Sequence, residues 1–203
     1  IDPETAAVYS QLMADSQTLV AAEALSVLDL RGISRLLDVG GGTGAFLTAV
    51  GQAYADLALH LFDLPPVIAP ANRRFAEAGL DGRTTVTGGS FRTDALPVGA
   101  DAISLIRVLY DHSDDTVRML LAKSHAALCN GGRIIISEPM SGGERPNRAG
   151  DAYFGLYCLA MGTGRARSAA EIAAHLDAAG FTQIAHRKTA RPFITSVVEA
   201  RKA

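Results

Sequence analysis

Apolar positions along this chain fall into short runs separated by stretches with helical spacing. Pro3 to Leu30 is rich in alanine and leucine and predicts helix. From there the pattern alternates. Arg35 to Val39 predicts a strand and Ala45 to Ala55 a helix; Leu57 to Phe62 is strand-like and Val67 to Ala78 helical behind two prolines. Thr84 to Thr87 is β-branched, Ala102 to Val108 is an apolar strand, and Thr116 to Leu128 is a helix. Gly131-Gly132 is expected to stop that helix before a strand over Arg133 to Ser137. Strand–helix alternation of this kind implies a parallel sheet covered by helices on both faces. A Gly- and Pro-containing loop, Met140 to Gly150, leads into helical stretches over Asp151 to Met161 and Ser168 to Ala179. Thr182 to Thr189 and Ile194 to Ala200 are strand-like, and the short connection through Pro192 permits only an antiparallel pair. The expected fold is therefore α/β and Rossmann-like, with five parallel strands and a closing antiparallel hairpin making seven.

The 203 residues suffice for one substantial core, and 48% apolar with 20% charged residues is ordinary for a globular protein. A formal net charge of −2 lacks the basic footprint of a nucleic-acid binder. Cys129 and Cys158 are far apart, form no metal-type spacing and read as free thiols of a reducing cytoplasm; no metal site is expected. No apolar run approaches membrane-spanning length. The start at Ile1 rather than Met suggests a piece trimmed at its N-terminus.

The chemistry concentrates in Leu36-Leu37-Asp38-Val39-Gly40-Gly41-Gly42-Thr43-Gly44, where a strand ends in an acid and glycines open into a helix. Glycines let main chain turn sharply and approach a ligand closely. Gly40, Gly42 and Ala45 fit the dinucleotide fingerprint, while Gly40, Gly42 and Gly44 fit the methyltransferase form. Both want an acid at the end of the second strand, to accept from ribose hydroxyls, and Asp63 stands there. Three features favour S-adenosylmethionine: Asp38 precedes the loop where dehydrogenases usually keep an apolar residue, the chain closes in a hairpin, and there is no Tyr-x-x-x-Lys pair. After the third strand, Gly88-Gly89-Ser90-Phe91 faces the same crevice; backbone groups of Gly89 and Ser90 with Phe91 as a wall suit an adenine, and an ordinary turn is the alternative.

These residues resemble the class I, S-adenosylmethionine-dependent O-methyltransferases of the plant caffeate/flavonoid type and their bacterial relatives. The likeness includes the helix around Tyr9 to Met13, the Asp38-to-Gly44 loop, Phe62-Asp63-Leu64-Pro65, Gly89-Ser90-Phe91, Arg107 to Asp114, Glu138-Pro139 and Ala179-Gly180-Phe181. Arg107 to His112 and Gly150 to Gly155 look most like the carotenoid branch of purple bacteria, which methylates hydroxycarotenoids such as hydroxyneurosporene. The resemblance implies a methyl donor bound by Asp38, Gly40, Gly42, Gly44, Asp63, Leu64, Gly89, Ser90, Phe91 and Arg107, with S-adenosylhomocysteine as product. It implies a lipophilic acceptor, a cytoplasmic homodimer making at most transient membrane contact, and residues 1–30 leading from an N-terminal dimerisation domain into a catalytic domain over 31–203. The chain departs from the pattern where plant members carry a catalytic histidine in His-Asp-Trp-Ser-Asp. Here the residues are Tyr110-Asp111-His112-Ser113-Asp114, so Tyr110 takes the place of the base. Glu138 matches one supporting glutamate, and the second falls at Ala166.

Tyr110 is then expected to orient the acceptor hydroxyl or simply to pack, the proton going to His112, Glu138 or solvent, with a surface or structural role the other reading of His112; positioning carries most of the rate. Tyr153, Phe154, Tyr157 and Met161 are spaced to share much of one helical face, suited to a long apolar substrate or to the core. Other readings are methylation of a small aromatic or polyketide acceptor, a nicotinamide-dependent oxidoreductase, and a cofactor-binding domain without activity.

Overall fold

A computed structural model describes residues 16–203. Residues 16–25 form helix α1; the helix expected around Tyr9 to Met13 lies outside the described residues. The remaining elements are β1 (Arg35–Val39), α2 (Ala45–Ala53), β2 (Ala58–Asp63), α3 (Pro65–Glu77), β3 (Thr84–Gly88), β4 (Ala100–Ile106), α4 (Asp114–Ala127), β5 (Leu128–Glu138), α5 (Phe154–Met161), α6 (Ala169–Ala178), β6 (Phe181–Lys188) and β7 (Ser196–Lys202). They build one seven-stranded sheet in the order β3-β2-β1-β4-β5-β7-β6. β1 to β5 pair in parallel, and β7 runs antiparallel between β5 and β6.

Alternation along each strand divides the core between the two faces. Leu37, Val39, Ile103, Ile134 and Ile136 face α4 and α6, joining Leu120, Leu121, Ile172 and Leu176. Leu36, Leu59, Leu61 and Ile135 face the other layer, with Val20 and Ala24 of α1, Phe46, Leu47 and Val50 of α2, and Phe75 of α3. α1 is also tied to the β6–β7 connection, where Arg191 Nη2 pairs with the buried Glu23 Oε1 at 2.7 Å.

Helix starts follow local chemistry. Ser113 caps α4 by accepting from the Thr116 N–H, with Asp114 and Asp115 in the positive first turn. Ser168 and Glu171 close a reciprocal capping box on α6.

The glycine pair at 131–132 does not stop α4. That helix ends at Ala127, Leu128 is already extended and buried, and the glycines sit within β5. Pairing with β4 jumps from Ala100↔Leu128 to Ala102↔Arg133, so residues 129–132 bulge outward. Gly131 has φ +73°, and a Cβ on Gly132 would stand 2.7 Å from the Cys129 carbonyl oxygen. Positive φ is required for a bulge in a strand here, not for a helix end.

β2 lies on one side of β1 and β4 on the other, so successive crossovers part company at the carboxyl end of β1. That switch point is where open α/β sheets form a ligand crevice.

Candidate functional site

Asp38 is the one acid inside β1 and is 1% exposed. Its Oδ1 accepts from the Ser104 hydroxyl at 2.6 Å, while Oδ2 is buried without a hydrogen-bond partner. Burial pushes its carboxyl up to about 7, opposed by the Ser104 donor and reinforced by the charge of Asp63. The glycine loop lies directly over it: a Cβ on Gly41 would stand 2.6 Å from Asp38 Oδ2. Gly42 and Gly44 have φ of +58° and +77°, which ordinary residues rarely adopt. Asp63 closes the loop from the end of β2. Its Oδ2 accepts from the Gly42 N–H at 2.7 Å and its Oδ1 from the Leu64 N–H at 2.6 Å.

Beside this loop is a cleft of about 270 Å³. Of the expected cofactor residues, Gly40, Asp63, Leu64, Gly89, Ser90, Phe91 and Arg107 line it, whereas Asp38, Gly42 and Gly44 do not. The amides expected to hold an adenine are already engaged. Gly89 N–H donates to the Asp63 carbonyl at 2.9 Å and Ser90 N–H to Asp94 Oδ2 at 2.8 Å. What remains is a wall of Leu64, Phe91 and His112, the last two meeting edge to face with ring centroids 5.2 Å apart. From α4, Lys123 Nζ pins this loop by donating to the Phe91 and Asp94 carbonyls at 2.7 and 2.8 Å.

The segment after β4 carries the expected catalytic residues. Arg107 has φ +57°, strained for a non-glycine residue, which turns the chain across the mouth of the cleft. Its guanidinium carbon lies 5.6 Å from the Tyr110 ring centroid and 5.4 Å from that of Phe154, and Nη1 donates to the Ser16 hydroxyl at 3.0 Å. Tyr110 is buried against Phe154 and Tyr157. Burial raises its hydroxyl well above the ordinary tyrosine value, so it donates hydrogen bonds and does not act as a base near neutrality. Burial and the cations Arg92 and Arg167 lower His112, leaving it neutral. Arg92 Nη2 stands 3.2 Å from its Nδ1, so that nitrogen is the acceptor.

Glu138 sits under this turn, 2% exposed. Its Oε1 accepts from the Val108 and Leu109 N–H groups at 2.9 and 2.7 Å, and Oε2 from the Tyr110 N–H at 3.4 Å. Burial pushes its carboxyl up to about 8 against the pull of those donors. Only His112 of the three expected catalytic residues lines the cleft; Tyr110 and Glu138 are packed behind it. The sequence reasoning passed over Asp111, which also lines the cleft with Oδ1 buried and without a partner. It passed over Arg167 too, a buried cation at the same turn. Local sequence gives no signal for Asp111, but Ser168-Ala-Ala-Glu171 marks a capping box just beyond Arg167.

The four residues expected on one helical face differ in burial. Phe154 and Cys158 face Tyr110 with Tyr157 partly buried beside them, whereas Tyr153 and Met161 are 66% and 58% exposed. A π-helical turn over Arg148–Tyr153 precedes α5, so Tyr153 lies outside the regular helix that carries the other three. Leu156 and Leu159 are exposed as well. Among the described residues no cluster of His, Cys, Asp and Glu could hold a metal, and no helix is long and apolar enough to cross a membrane.

Comparison with known proteins agrees with this geometry. The chain is 58% identical over 199 residues to a demethylspheroidene O-methyltransferase of Cereibacter sphaeroides, covering 98% of this chain and 52% of that protein. It is 54% identical over 194 residues to the demethylspheroidene O-methyltransferase of Rhodobacter capsulatus, covering 96% and 48%. The crystal structure of human N-acetylserotonin methyltransferase in complex with SAM superposes with a TM-score of 0.82 at 27% identity, covering 96% of this chain and 55% of that one. The chain thus spans about half the length of the curated relatives it matches. Residues 1–182 match the O-methyltransferase domain family, and the chain belongs to that family.

Proposed function

We propose that the intact protein moves a methyl group from S-adenosylmethionine to a hydroxyl of a lipophilic acceptor, a 1-hydroxycarotenoid such as hydroxyneurosporene. The observation that carries the donor half is the paired-acid glycine loop at the switch point. The cleft-lining Asp63 suits a ribose, and Asp38, buried under the glycine loop with one oxygen unpartnered, sets an acid behind that loop that suits a ligand with a positive charge. The acceptor class is supported by likeness to the two demethylspheroidene O-methyltransferases.

When bound, S-adenosylmethionine supplies an electrophilic methyl on a sulfonium. Asp63 accepts from the ribose hydroxyls with the lone pairs left after its bonds to Gly42 and Leu64. Leu64, Phe91 and His112 flank the base, Gly89 and Ser90 shape the floor, and Arg107 offers a cation at the cleft mouth. Gly40 brings main chain to the cleft, and Gly42 and Gly44 give the loop its positive-φ turns, with Gly41 over Asp38. Tyr110 donates to and orients the acceptor hydroxyl. Glu138 acts through that turn, holding its N–H groups, and the free Oδ1 of Asp111 is a site for the departing proton. Tyr157 and Phe154 border the acceptor side, and Tyr153 and Met161 extend it toward solvent. The intact protein is read as a cytoplasmic homodimer that touches the membrane only transiently, with residues 31–203 as its catalytic unit.

Thermal unfolding tests the donor site. S-adenosylhomocysteine at 100 times its Kd contributes about 2.7 kcal/mol, or about 5–10 °C in a domain of this size. NAD(H) is expected to give no shift, and Asp63→Ala to remove most of the one seen with S-adenosylhomocysteine. Stabilisation by NAD(H) alone would establish the oxidoreductase instead. Methyl transfer to a 1-hydroxycarotenoid by the intact protein tests the acceptor; transfer only to small aromatic hydroxyls would reject the carotenoid.

A further inference from the structure

The turn that carries Tyr110 is held from two sides. Glu138 takes its N–H groups. The opposite side belongs to Arg167, whose side chain is 1% exposed. Its Nε and Nη2 donate to Asp114 Oδ1 at 2.8 and 2.6 Å. Nη1 donates to the Leu109 carbonyl at 2.8 Å and Nη2 to the His112 carbonyl at 2.7 Å. Those two carbonyls bracket Tyr110 and Asp111. Gly164 presses on the backbone between them: a Cβ there would stand 2.1 Å from the Tyr110 carbonyl oxygen and 2.7 Å from the His112 nitrogen. Cys158 Sγ donates to the same Tyr110 carbonyl at 3.5 Å. Arg167 also accepts, through its own carbonyl, from the Ser141 N–H at 3.0 Å. One residue thereby joins the segment leaving β5, the 109–112 turn and the start of α4.

A buried guanidinium is tolerated only when its donors are matched, and its planar fork is what matches several fixed acceptors at once. Lysine has the charge without the fork. Apart from a longer contact to its neighbour Arg165, the acceptors of Arg167 lie within residues 109–114, not across the sheet. We infer that Arg167 is a positioning residue for methyl transfer, fixing the carbonyls on either side of Tyr110 and Asp111 and so the place of both side chains beside the cleft. The kinetic consequence rests on the methyltransferase reading; the clamp itself can be observed without turnover.

The test uses Arg167→Lys and Arg167→Ala in the intact protein, read by amide hydrogen exchange and by steady-state kinetics with S-adenosylmethionine and a hydroxycarotenoid. In both variants exchange should accelerate at residues 108–113 while β1 and β4 keep their protection. Displacing the turn by about 1 Å should lower kcat roughly 10²-fold with little change in the acceptor KM. Ethylguanidinium should restore part of that loss in Arg167→Ala and none in wild type. Exchange accelerated evenly over the sheet, with kcat falling only in proportion to folded protein, would reduce Arg167 to a structural staple. Wild-type exchange and turnover in Arg167→Lys would overturn the clamp. Should the Arg167 variants not fold, Asp114→Asn carries the test: a milder acceleration confined to the same turn is expected, and an unchanged turn counts against the inference. An intact wild type that methylates no hydroxyl defeats the methyltransferase reading, and the exchange pattern still decides the clamp.

Discussion

Glu138 places a carboxylate where three backbone N–H groups converge and water is excluded. Each buried donor left without an acceptor costs about 1–3 kcal/mol. Glu138→Ala should therefore lose at least about 3 kcal/mol in urea denaturation, the Tyr110 N–H being the weakest of the three contacts. Glu138→Gln keeps one acceptor oxygen for Val108 and Leu109 and should lose about half as much or less. The two variants also differ in pH response. Burial raises Glu138 from 4.5 to about 8, and Asp38 from 3.8 to about 7. Between those limits the folded state holds protons that the unfolded state has released, so stability is fullest below the unfolded values and falls as pH rises. His60, His112, His175 and His186, lowered by burial, oppose this below about pH 7, where stability lost on protonating them returns as pH rises. The wild-type urea midpoint should therefore decline from pH 7 to pH 8, and Glu138→Gln should flatten most of that decline. A wild-type midpoint that rises over this range would mean that the three N–H donors outweigh burial.

The β1–loop–α2 element depends on glycine for two separable reasons. Gly42 has φ +58° with open space where a Cβ would go, whereas Gly44 has φ +77° and a Cβ there would meet the Phe75 ring at 2.6 Å. Gly42→Ala should cost only the left-handed strain of about 1–2 kcal/mol. Gly44→Ala adds a collision inside the α2–α3 packing and should exceed it by about 1–3 kcal/mol, as overpacking does. Equal losses in chemical denaturation would show that Phe75 yields without penalty. This element was legible in the sequence because strand, acid, glycines and helix are consecutive, and each follows a local rule. Asp63 was legible because the end of a second strand is fixed by the same alternation. The turn at Tyr110 was not. Its supports, Glu138 and Arg167, come from positions 28 and 57 residues further along; Glu138 was picked out only as a proton acceptor, and nothing in the sequence ties either to the backbone of this turn. Gly131-Gly132 misled because positive φ serves a helix end and a strand bulge alike. The face expected of Tyr153, Phe154, Tyr157 and Met161 rested on spacing alone, which does not tell that Phe154 is buried while Tyr153, in the preceding π-turn, and Met161, at the helix end, are exposed.

At the scale of the molecule, the two halves of the proposed reaction are unequally built within these residues. The cofactor cleft is formed by the segments that follow β1, β2, β3 and β4, all packed on one core. On the proposed reading the acceptor side is bounded by α5, which is apolar all round yet exposes Leu156, Leu159 and Met161 by 58–76%. Helices of that composition are ordinarily buried. Methyl transfer gains most from holding the hydroxyl in line with the donor and away from water, and loose alignment forfeits about 10²-fold or more. The 203-residue chain should therefore bind S-adenosylhomocysteine nearly as tightly as the intact protein does, measured by calorimetry. Its kcat/KM for a hydroxycarotenoid should fall about 10²-fold or more below that of the intact protein, because the open side of α5 leaves the acceptor poorly aligned. Equal kcat/KM for the two lengths would show that the acceptor pocket is complete within this chain, with the exposed side of α5 playing no part in it. Weak S-adenosylhomocysteine binding by the short chain alone would show instead that residues beyond it complete the donor cleft.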